Sequence, residues 1–134
     1  MIYMYIGNRT KMNNYKIDEN IIKYEDDFIN LIQIAYCDEK YYLEGFFKNP
    51  KCNIKYYGIK KLKQVLLHII YEKLLYGFNL NSTLYLDTEC IDSLVNYYKK
   101  LGFSIDKYNE EEDFYIMKIN NIKTLLNNIN KLIC

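Results

Sequence analysis

The stretch that decides the fold runs from residue 83 to residue 103 and reads TLYLDTECIDSLVNYYKKLGF. Its beginning, Thr83–Thr88, is rich in strand-forming residues and partly apolar on both faces, which predicts a buried central strand. Gly102 stands where a helix ends in the left-handed conformation, and Phe103 is expected to pack back onto that helix. Between these two signals, apolar residues recur at helical spacing at Ile91, Leu94, Val95, Tyr98 and Leu101.

The clearest helix of the chain begins after Gly58, upstream of this strand. Its apolar residues recur at intervals of three and four, and its lysines stay outside that stripe. Gly77 stands where this helix is expected to end. The apolar stripe consists of Leu62, Val65, Leu66, Ile69 and Ile70.

Downstream of Gly102, the pattern predicts a hairpin and a final helix. Residues 103–108 and 114–119 alternate with period two, and the acidic residues 109–112 between them are typical of a hairpin loop. An amphipathic helix is predicted from about residue 120 to 133, either docked on the domain or available to a partner. Its apolar positions are Ile122, Leu125, Leu126, Ile129, Leu132 and Ile133.

The first third of the chain carries weaker signals. Asp18–Tyr36 predicts a helix, because its apolar residues can share one face with the acidic residues 25–27 on the other. Tyr41–Phe47 predicts the first strand, and Cys52–Tyr57 predicts a weaker second one. Residues 1–134 therefore predict a single domain of the α/β class, with a central mixed sheet flanked by helices.

Composition narrows the possible functions. The formal net charge of +1 gives no reason to expect a nucleic-acid or membrane partner. Arg9 is the only arginine, so phosphate groups would have to be held by lysines and backbone amides. The cysteines are scattered and His68 is the only histidine, so we expect no metal site. His68 itself is expected to be a packed or half-exposed structural residue. Since no secretory signal or membrane span is evident, we expect a cytoplasmic protein with reduced thiols.

Three segments resemble the GNAT N-acetyltransferase family. Residues 97–103, YYKKLGF, are similar to the family's Phe-Tyr-x-Lys-Leu-Gly-Phe. Residues 86–88 resemble the Leu-Asp-Thr with which its fifth strand ends, and residues 113–118 resemble its last strand. The likeness covers about residues 54–119, which would be the cofactor-binding half of a GNAT-like fold, followed by the C-terminal helix.

The resemblance implies an acetyl-coenzyme A-dependent transfer to an amine. The cofactor would lie where two parallel strands splay apart, and a backbone amide of the fourth strand would polarise the thioester. By position, Tyr98 would protonate the departing thiolate, with Tyr97 as the one-residue alternative, although Tyr98 also suits a core position on its helix. Glu89 is the candidate base or amine-binding carboxylate, if it is not simply a surface residue, and Glu44 is a weaker candidate. The acceptor would be a small molecule or a protein amine.

The start of the cofactor helix departs from the family pattern. The family carries Gln/Arg-x-x-Gly-x-Gly/Ala there, so that the pyrophosphate lies against bare backbone amides. The corresponding positions are Gly58, Lys61 and Lys63, unless the register is shifted by one step. Either the lysines hold the phosphates electrostatically, or their stems fill the site and coenzyme A does not bind. In the first case the cofactor-binding residues are Gly58, Ile59, Lys60, Lys61, Leu62, Lys63 and Lys100.

Two other functions compete with catalysis. Only residues 41–57 are left for the family's second, third and fourth strands, so the N-terminal part of the sheet is expected to be truncated, rearranged or lost. The chain would then be a GNAT-fold binding or scaffold protein without a coenzyme A site, forming a homodimer or meeting a protein partner through its C-terminal helix. Nucleic-acid binding by the lysines of residues 60–63 is a weaker alternative because the net charge is nearly zero.

Overall fold

The computed structural model describes residues 15–17, 21–76 and 78–133. Within these ranges, seven strands form one sheet and three helices accompany it. In chain order the elements are β1 (Tyr15–Ile17), β2 (Ile21–Tyr24), β3 (Ile29–Cys37), β4 (Lys40–Lys48), α1 (Tyr57–Tyr76), β5 (Leu84–Glu89), α2 (Asp92–Lys100), β6 (Ser104–Asn109), β7 (Phe114–Ile119) and α3 (Ile122–Ile133).

The strands lie in the order β1-β2-β3-β4-β5-β7-β6. All neighbours run antiparallel except β4 and β5, which are parallel and are joined by α1. The chain returns from β5 to β6 through α2, and these two strands are also parallel because both are antiparallel to β7. Connections between parallel strands of one sheet are almost always right-handed. Since both connections move across the sheet in the same direction, we expect α1 and α2 on the same face. The mixed sheet flanked by helices that the sequence predicts is confirmed, and the arrangement of strands and helices is of the α+β kind.

The core lies between one face of the sheet and the helices. Alternate residues of β4 and β5 are buried, and α1 turns its predicted apolar stripe toward them. α3 packs against α1 and β7. Together these residues form a single hydrophobic cluster, which includes the fully buried Tyr41, Leu62, Val65, Leu66, Ile69, Leu84, Met117, Ile122, Leu125 and Ile129.

The helix predicted over Asp18–Tyr36 is wrong, because this segment forms β2 and β3. Ile32 and Ile34 are buried while Gln33 between them is half-buried, so the segment alternates with period two. Each of the two strands has an antiparallel neighbour on both sides, and these ladders outweigh the helical spacing of the same residues. Phe28 lies in the turn between the two strands and is 39% exposed. Residues 18–20 lie outside the described part of the chain.

The strand predicted over Cys52–Tyr57 is also wrong. Residues 52–54 have no regular secondary structure, residues 55 and 56 form a turn, and α1 begins at Tyr57. The amide of Cys52 donates to the Asn49 carbonyl at 2.9 Å, closing a turn around Pro50. Of the three expectations for the early strands (truncation, rearrangement or loss), loss is wrong, because β1, β2 and β3 precede β4. The strand parallel to β5 is therefore β4.

The other predicted elements are confirmed. Gly102 has a φ of +101°, and the amides of Gly102 and Phe103 donate to the Lys99 and Tyr98 carbonyls at 3.0 and 3.1 Å. This is the double hydrogen bond of a glycine-terminated helix. α3 is docked: its apolar face is buried in the chain's own core, so any protein partner of this helix would have to use the opposite face. The predicted cap at Gly77 lies outside the described residues. No described helix has the length and apolar character needed to cross a bilayer.

Candidate functional site

The two parallel strands part soon after they meet. β4 and β5 are paired only at Tyr41↔Leu84, Tyr42↔Tyr85 and Leu43↔Leu86. Beyond this point β4 continues along β3 and β5 continues along β7. A register shift at Glu44, between Leu43 and Gly45, adds a bulge to β4 at the point of separation. Backbone groups of β4 that point toward β5 beyond Leu43 therefore have no partner in that strand.

A cleft of about 390 Å³ opens beside this gap. It lies at the carboxyl ends of β4 and β5, where both α1 and α2 begin, which is the usual position of ligand sites in open sheets containing parallel strands. Its volume is at the lower end of the range found for small-molecule sites. Its walls come from β4, α1 with the turn before it, and α2: Phe46, Tyr56, Tyr57, Gly58, Ile59, Leu94, Tyr97 and Tyr98.

The N-terminus of α1 forms one wall of the cleft. The Tyr56 carbonyl accepts from the Lys60 amide at 2.9 Å, and the Tyr57 amide donates to the Ile54 carbonyl at 3.3 Å. The amides of Gly58 and Ile59 belong to the same first turn and make no hydrogen bond to another backbone group outside the helix within the described residues. Amides at this position point out of the helix end and carry its positive dipole. They are suited to bind an anionic group.

Tyr56 holds the turn before α1 in an unusual conformation. Its φ is 60°, in the left-handed region that side chains other than glycine rarely adopt. Such a residue costs about 1 kcal/mol or more, and such costs are concentrated at functional sites. Because the Tyr56 ring lines the cleft, this conformation shapes the cleft directly.

Tyr97 and Tyr98 both line the opposite wall. Their rings meet edge to face at 5.4 Å, and Tyr97 also lies 6.5 Å from the Phe46 ring across the cleft. Burial, and then the neighbouring Tyr98, raise the pKa of Tyr97 to about 12. Burial alone raises the pKa of Tyr98. Both hydroxyls therefore stay protonated at neutral pH, which is the state required of a proton donor.

The lysines of α1 do not fill the cleft. The Lys61 ammonium lies over two aromatic rings, 5.8 Å from the centroid of Tyr24 and 5.3 Å from that of Tyr57. Lys60 is exposed and Lys63 half-buried, and none of the three is among the residues that line the cleft.

Of the remaining predicted cofactor-binding residues, Gly58 and Ile59 line the cleft. Leu62 is fully buried in the core and is not among the residues that line the cleft. Lys100 is exposed in the last turn of α2, away from the cleft walls.

Sequence reasoning missed Asp26, which lies beneath the start of α1. One of its carboxylate oxygens accepts from the hydroxyls of both Tyr24 and Tyr57 at 2.5 Å, and the other accepts from the Phe28 amide at 2.8 Å. Burial, followed by the hydrogen bond to Asp26, raises the pKa of Tyr57. This network fixes the first residue of α1 against the β2–β3 turn. An aspartate side chain that accepts from the backbone amide two residues later forms an Asx turn, which is a sequence signal for a turn. The signal was not recognised because a helix was predicted over Asp18–Tyr36.

The other acidic candidates lie outside the cleft. Glu89 ends β5 and is exposed. Glu44 is exposed at the bulge, where it accepts from the Gln33 side chain at 3.3 Å. His68 is buried within α1, and burial lowers its pKa to about 4, as fits the packed structural residue that the sequence predicts.

The described residues contain no group of three or more His, Cys, Asp or Glu side chains arranged to hold a metal ion. Comparison of the sequence with known protein families and with curated proteins found no match.

Proposed function

We propose that this protein is an acetyl-coenzyme A-dependent N-acetyltransferase with a GNAT-like fold. The observation that carries the proposal is the cleft at the point where β4 and β5 part, bounded by the first turn of α1 and by Tyr98. The resemblance in residues 86–88, 97–103 and 113–118 implies a cofactor in such a gap, with a tyrosine at the position of Tyr98. The uninterrupted run of β2, β3 and β4 removes the objection that the chain lacks the strand that polarises the thioester.

In the proposed reaction the amine nitrogen attacks the thioester carbon directly. The new carbon–nitrogen bond forms, the carbon–sulfur bond breaks, and the extra proton of the amine passes to a base or to water. Tyr98 gives its proton to the leaving thiolate. The backbone amides of β4 that face the gap beyond Leu43 are the groups available to stabilise the negative charge on the carbonyl oxygen.

The cofactor's phosphates would bind at the first turn of α1. The amides of Gly58 and Ile59 offer hydrogen bonds there, and the dipole of the helix adds a favourable field. Lys60 and Lys63 add positive charge near the same turn. Lys61 contributes less because its ammonium already lies over Tyr24 and Tyr57.

A second candidate is a GNAT-fold protein that binds a partner and has no catalytic activity. The observation that favours it is the aromatic lining of the cleft, where Phe46, Tyr56, Tyr57, Tyr97 and Tyr98 leave little polar surface for a charged cofactor. Aromatic residues are also enriched in protein interfaces.

Calorimetry with acetyl-coenzyme A separates the two candidates. The enzyme is expected to bind it in the micromolar range, about −8 kcal/mol. Leu94→Trp should abolish binding, because Leu94 lines the cleft and a larger ring would occupy it. Ile91→Trp is the matched control: Ile91 is exposed at the start of α2 and does not line the cleft. If the unaltered protein does not bind acetyl-coenzyme A at millimolar concentration, the proposed enzymatic function is rejected. If both variants lose affinity equally, the cleft is rejected as the binding site.

A further inference from the structure

The face of the sheet opposite the core carries a second groove. Along β4 and β5 the buried Tyr41, Leu84 and Leu86 alternate with Tyr42, Tyr85 and Asp87, which point to the other face. The groove on that face has a volume of about 390 Å³. Its lining residues are Lys40, Tyr42, Tyr85, Asp87, Asp106, Lys107 and Ile116.

One part of this groove, at Asp87, lies beside the gap between β4 and β5, on the face opposite the cleft. Asp87 directly follows Leu86, the last residue of β5 paired with β4. Phe46 in the cleft is paired with the buried Ile32, so the bulge at Glu44 returns Phe46 to the core face. If acetyl-coenzyme A occupied the cleft with its thioester between the two strands, the groove would remain the open route by which an amine reaches the thioester.

One wall of the groove is aromatic. The rings of Tyr42 and Tyr85 are stacked at 5.8 Å with an interplanar angle of 24°, forming a flat apolar surface. The Lys40 ammonium lies 5.7 Å from the centroid of the Tyr85 ring. The chain's own ammonium group therefore already occupies the position that a ligand cation would take over this ring.

The charges of the groove are only partly paired. Asp106 is bonded to Lys118 at 3.1 Å. Asp87 makes no hydrogen bond or ion pair to another residue of the described chain, and burial, followed by the charge of Glu112, raises its pKa. Lys107 lies in the same cross-strand row as Asp87, with Ile116 between them, so their backbones are about 10 Å apart. The groove therefore has a negative end at Asp87 and a positive end at Lys107, and both side chains face the space between them.

We propose that this groove binds the acceptor, and that the acceptor is a zwitterionic primary amine. Its ammonium pairs with Asp87, its anionic group pairs with Lys107, and its carbon chain crosses Ile116, beside the ring of Tyr85. The role as acceptor rests on the proposed acetyl transfer, whereas binding of the ligand does not. An amino acid, or a peptide with a free amine and a nearby carboxylate, has this chemistry.

The test uses three four-carbon probes and no acetyl-coenzyme A. Amide chemical shifts of the isotopically labelled full chain are followed by NMR during titration with 4-aminobutyrate, n-butylamine or butyrate. We expect 4-aminobutyrate to shift the signals of Tyr85 and Asp87 with a dissociation constant on the order of 1 mM, the range for so small a ligand. Each single-charge probe should bind about tenfold more weakly, because it loses one charge-assisted contact.

Two variants of equal charge change locate the site. Asp87→Asn should weaken 4-aminobutyrate about tenfold, to the level of butyrate. Glu111→Gln removes the same charge from the neighbouring β6–β7 turn, outside the groove lining, and should leave the affinity unchanged within twofold. The proposal is overturned if butylamine binds as tightly as 4-aminobutyrate, if both variants lose affinity equally, or if no groove signal shifts at about 50 mM probe, well above the expected constant.

The outcome also separates this proposal from the proposed function. Localised binding of 4-aminobutyrate without any acetyl transfer would leave the groove in place and reject the enzyme. Acetyl transfer to an amine without shifts at Tyr85 and Asp87 would support the enzyme and reject the groove as its acceptor site.

Discussion

Gly102→Ala tests the motif that carries both the fold and the family resemblance. At φ +101° an alanine is strained, which costs about 1–2 kcal/mol. Its Cβ would overlap Nδ2 of Asn128 and lie 3.1 Å from Cδ1 of Ile119. The same Nδ2 donates to the Leu101 carbonyl at 2.9 Å, satisfying one of the free carbonyls at the end of α2. Displacing the Asn128 amide breaks this hydrogen bond and lowers the free energy of unfolding by about 1 kcal/mol more.

The expected destabilisation is therefore about 2–3 kcal/mol, the sum of backbone strain and one lost hydrogen bond. Urea unfolding followed by circular dichroism measures it, and the midpoint should fall while the slope stays unchanged. In an Asn128→Ala background the overlap is gone, so Gly102→Ala should cost only the strain term. The two substitutions should thus be coupled by about 1 kcal/mol. A cost below about 0.5 kcal/mol, or the same cost in both backgrounds, would refute this account of the cap.

Three further predictions concern catalysis, pH dependence and the core. Tyr98→Phe should lower kcat about 10²-fold or more while calorimetry shows unchanged acetyl-coenzyme A binding, and Tyr71→Phe, at an 82% exposed position on α1, should change neither. The unfolded pKa of His68 is near 6.5 and the folded value about 4, so its contribution to stability is full above about pH 6.5 and is lost as the pH falls toward 4. The free energy of unfolding should then drop by about 2 kcal/mol between pH 7 and pH 5 on account of this residue, and a His68→Leu variant that keeps the whole drop would contradict the assignment. Leu66→Ala and Leu86→Ala, at 0% and 4% exposure, should each cost about 2–5 kcal/mol in urea unfolding, and a negligible loss in both would place them outside the core.

Local signals predicted much of the second half of the chain. α1 and α2 are readable because each has an apolar stripe at helical spacing, and Gly102 ends α2 because a left-handed residue is needed there. The β6–β7 hairpin is readable because two alternating runs flank a short acidic turn. In each case the residues that decide the structure are close together in sequence.

The prediction for the first half of the chain was wrong where strand pairing decides the structure. Residues 21–37 contain apolar residues at both helical and alternating spacing, and only the ladders to β1 and β4 select the strand. The Asp26 network was hidden for the same reason, since its partner Tyr57 is distant in the chain. Neither the gap between β4 and β5 nor the bulge at Glu44 has a local sequence signal.

By itself, then, the sequence determined the three helices, the glycine cap and the terminal hairpin, because neighbouring residues fix these features through spacing, capping and turn chemistry. Tyr98 is a candidate only through the family resemblance. Only the tertiary structure decided that residues 21–37 are strands, that β4 is the partner of β5, and that Lys61 lies over tyrosine rings and not in the cleft. The physical reason is that strand pairing and the walls of a cleft join residues far apart in the chain. The free energy of those contacts exists only once the sheet is assembled.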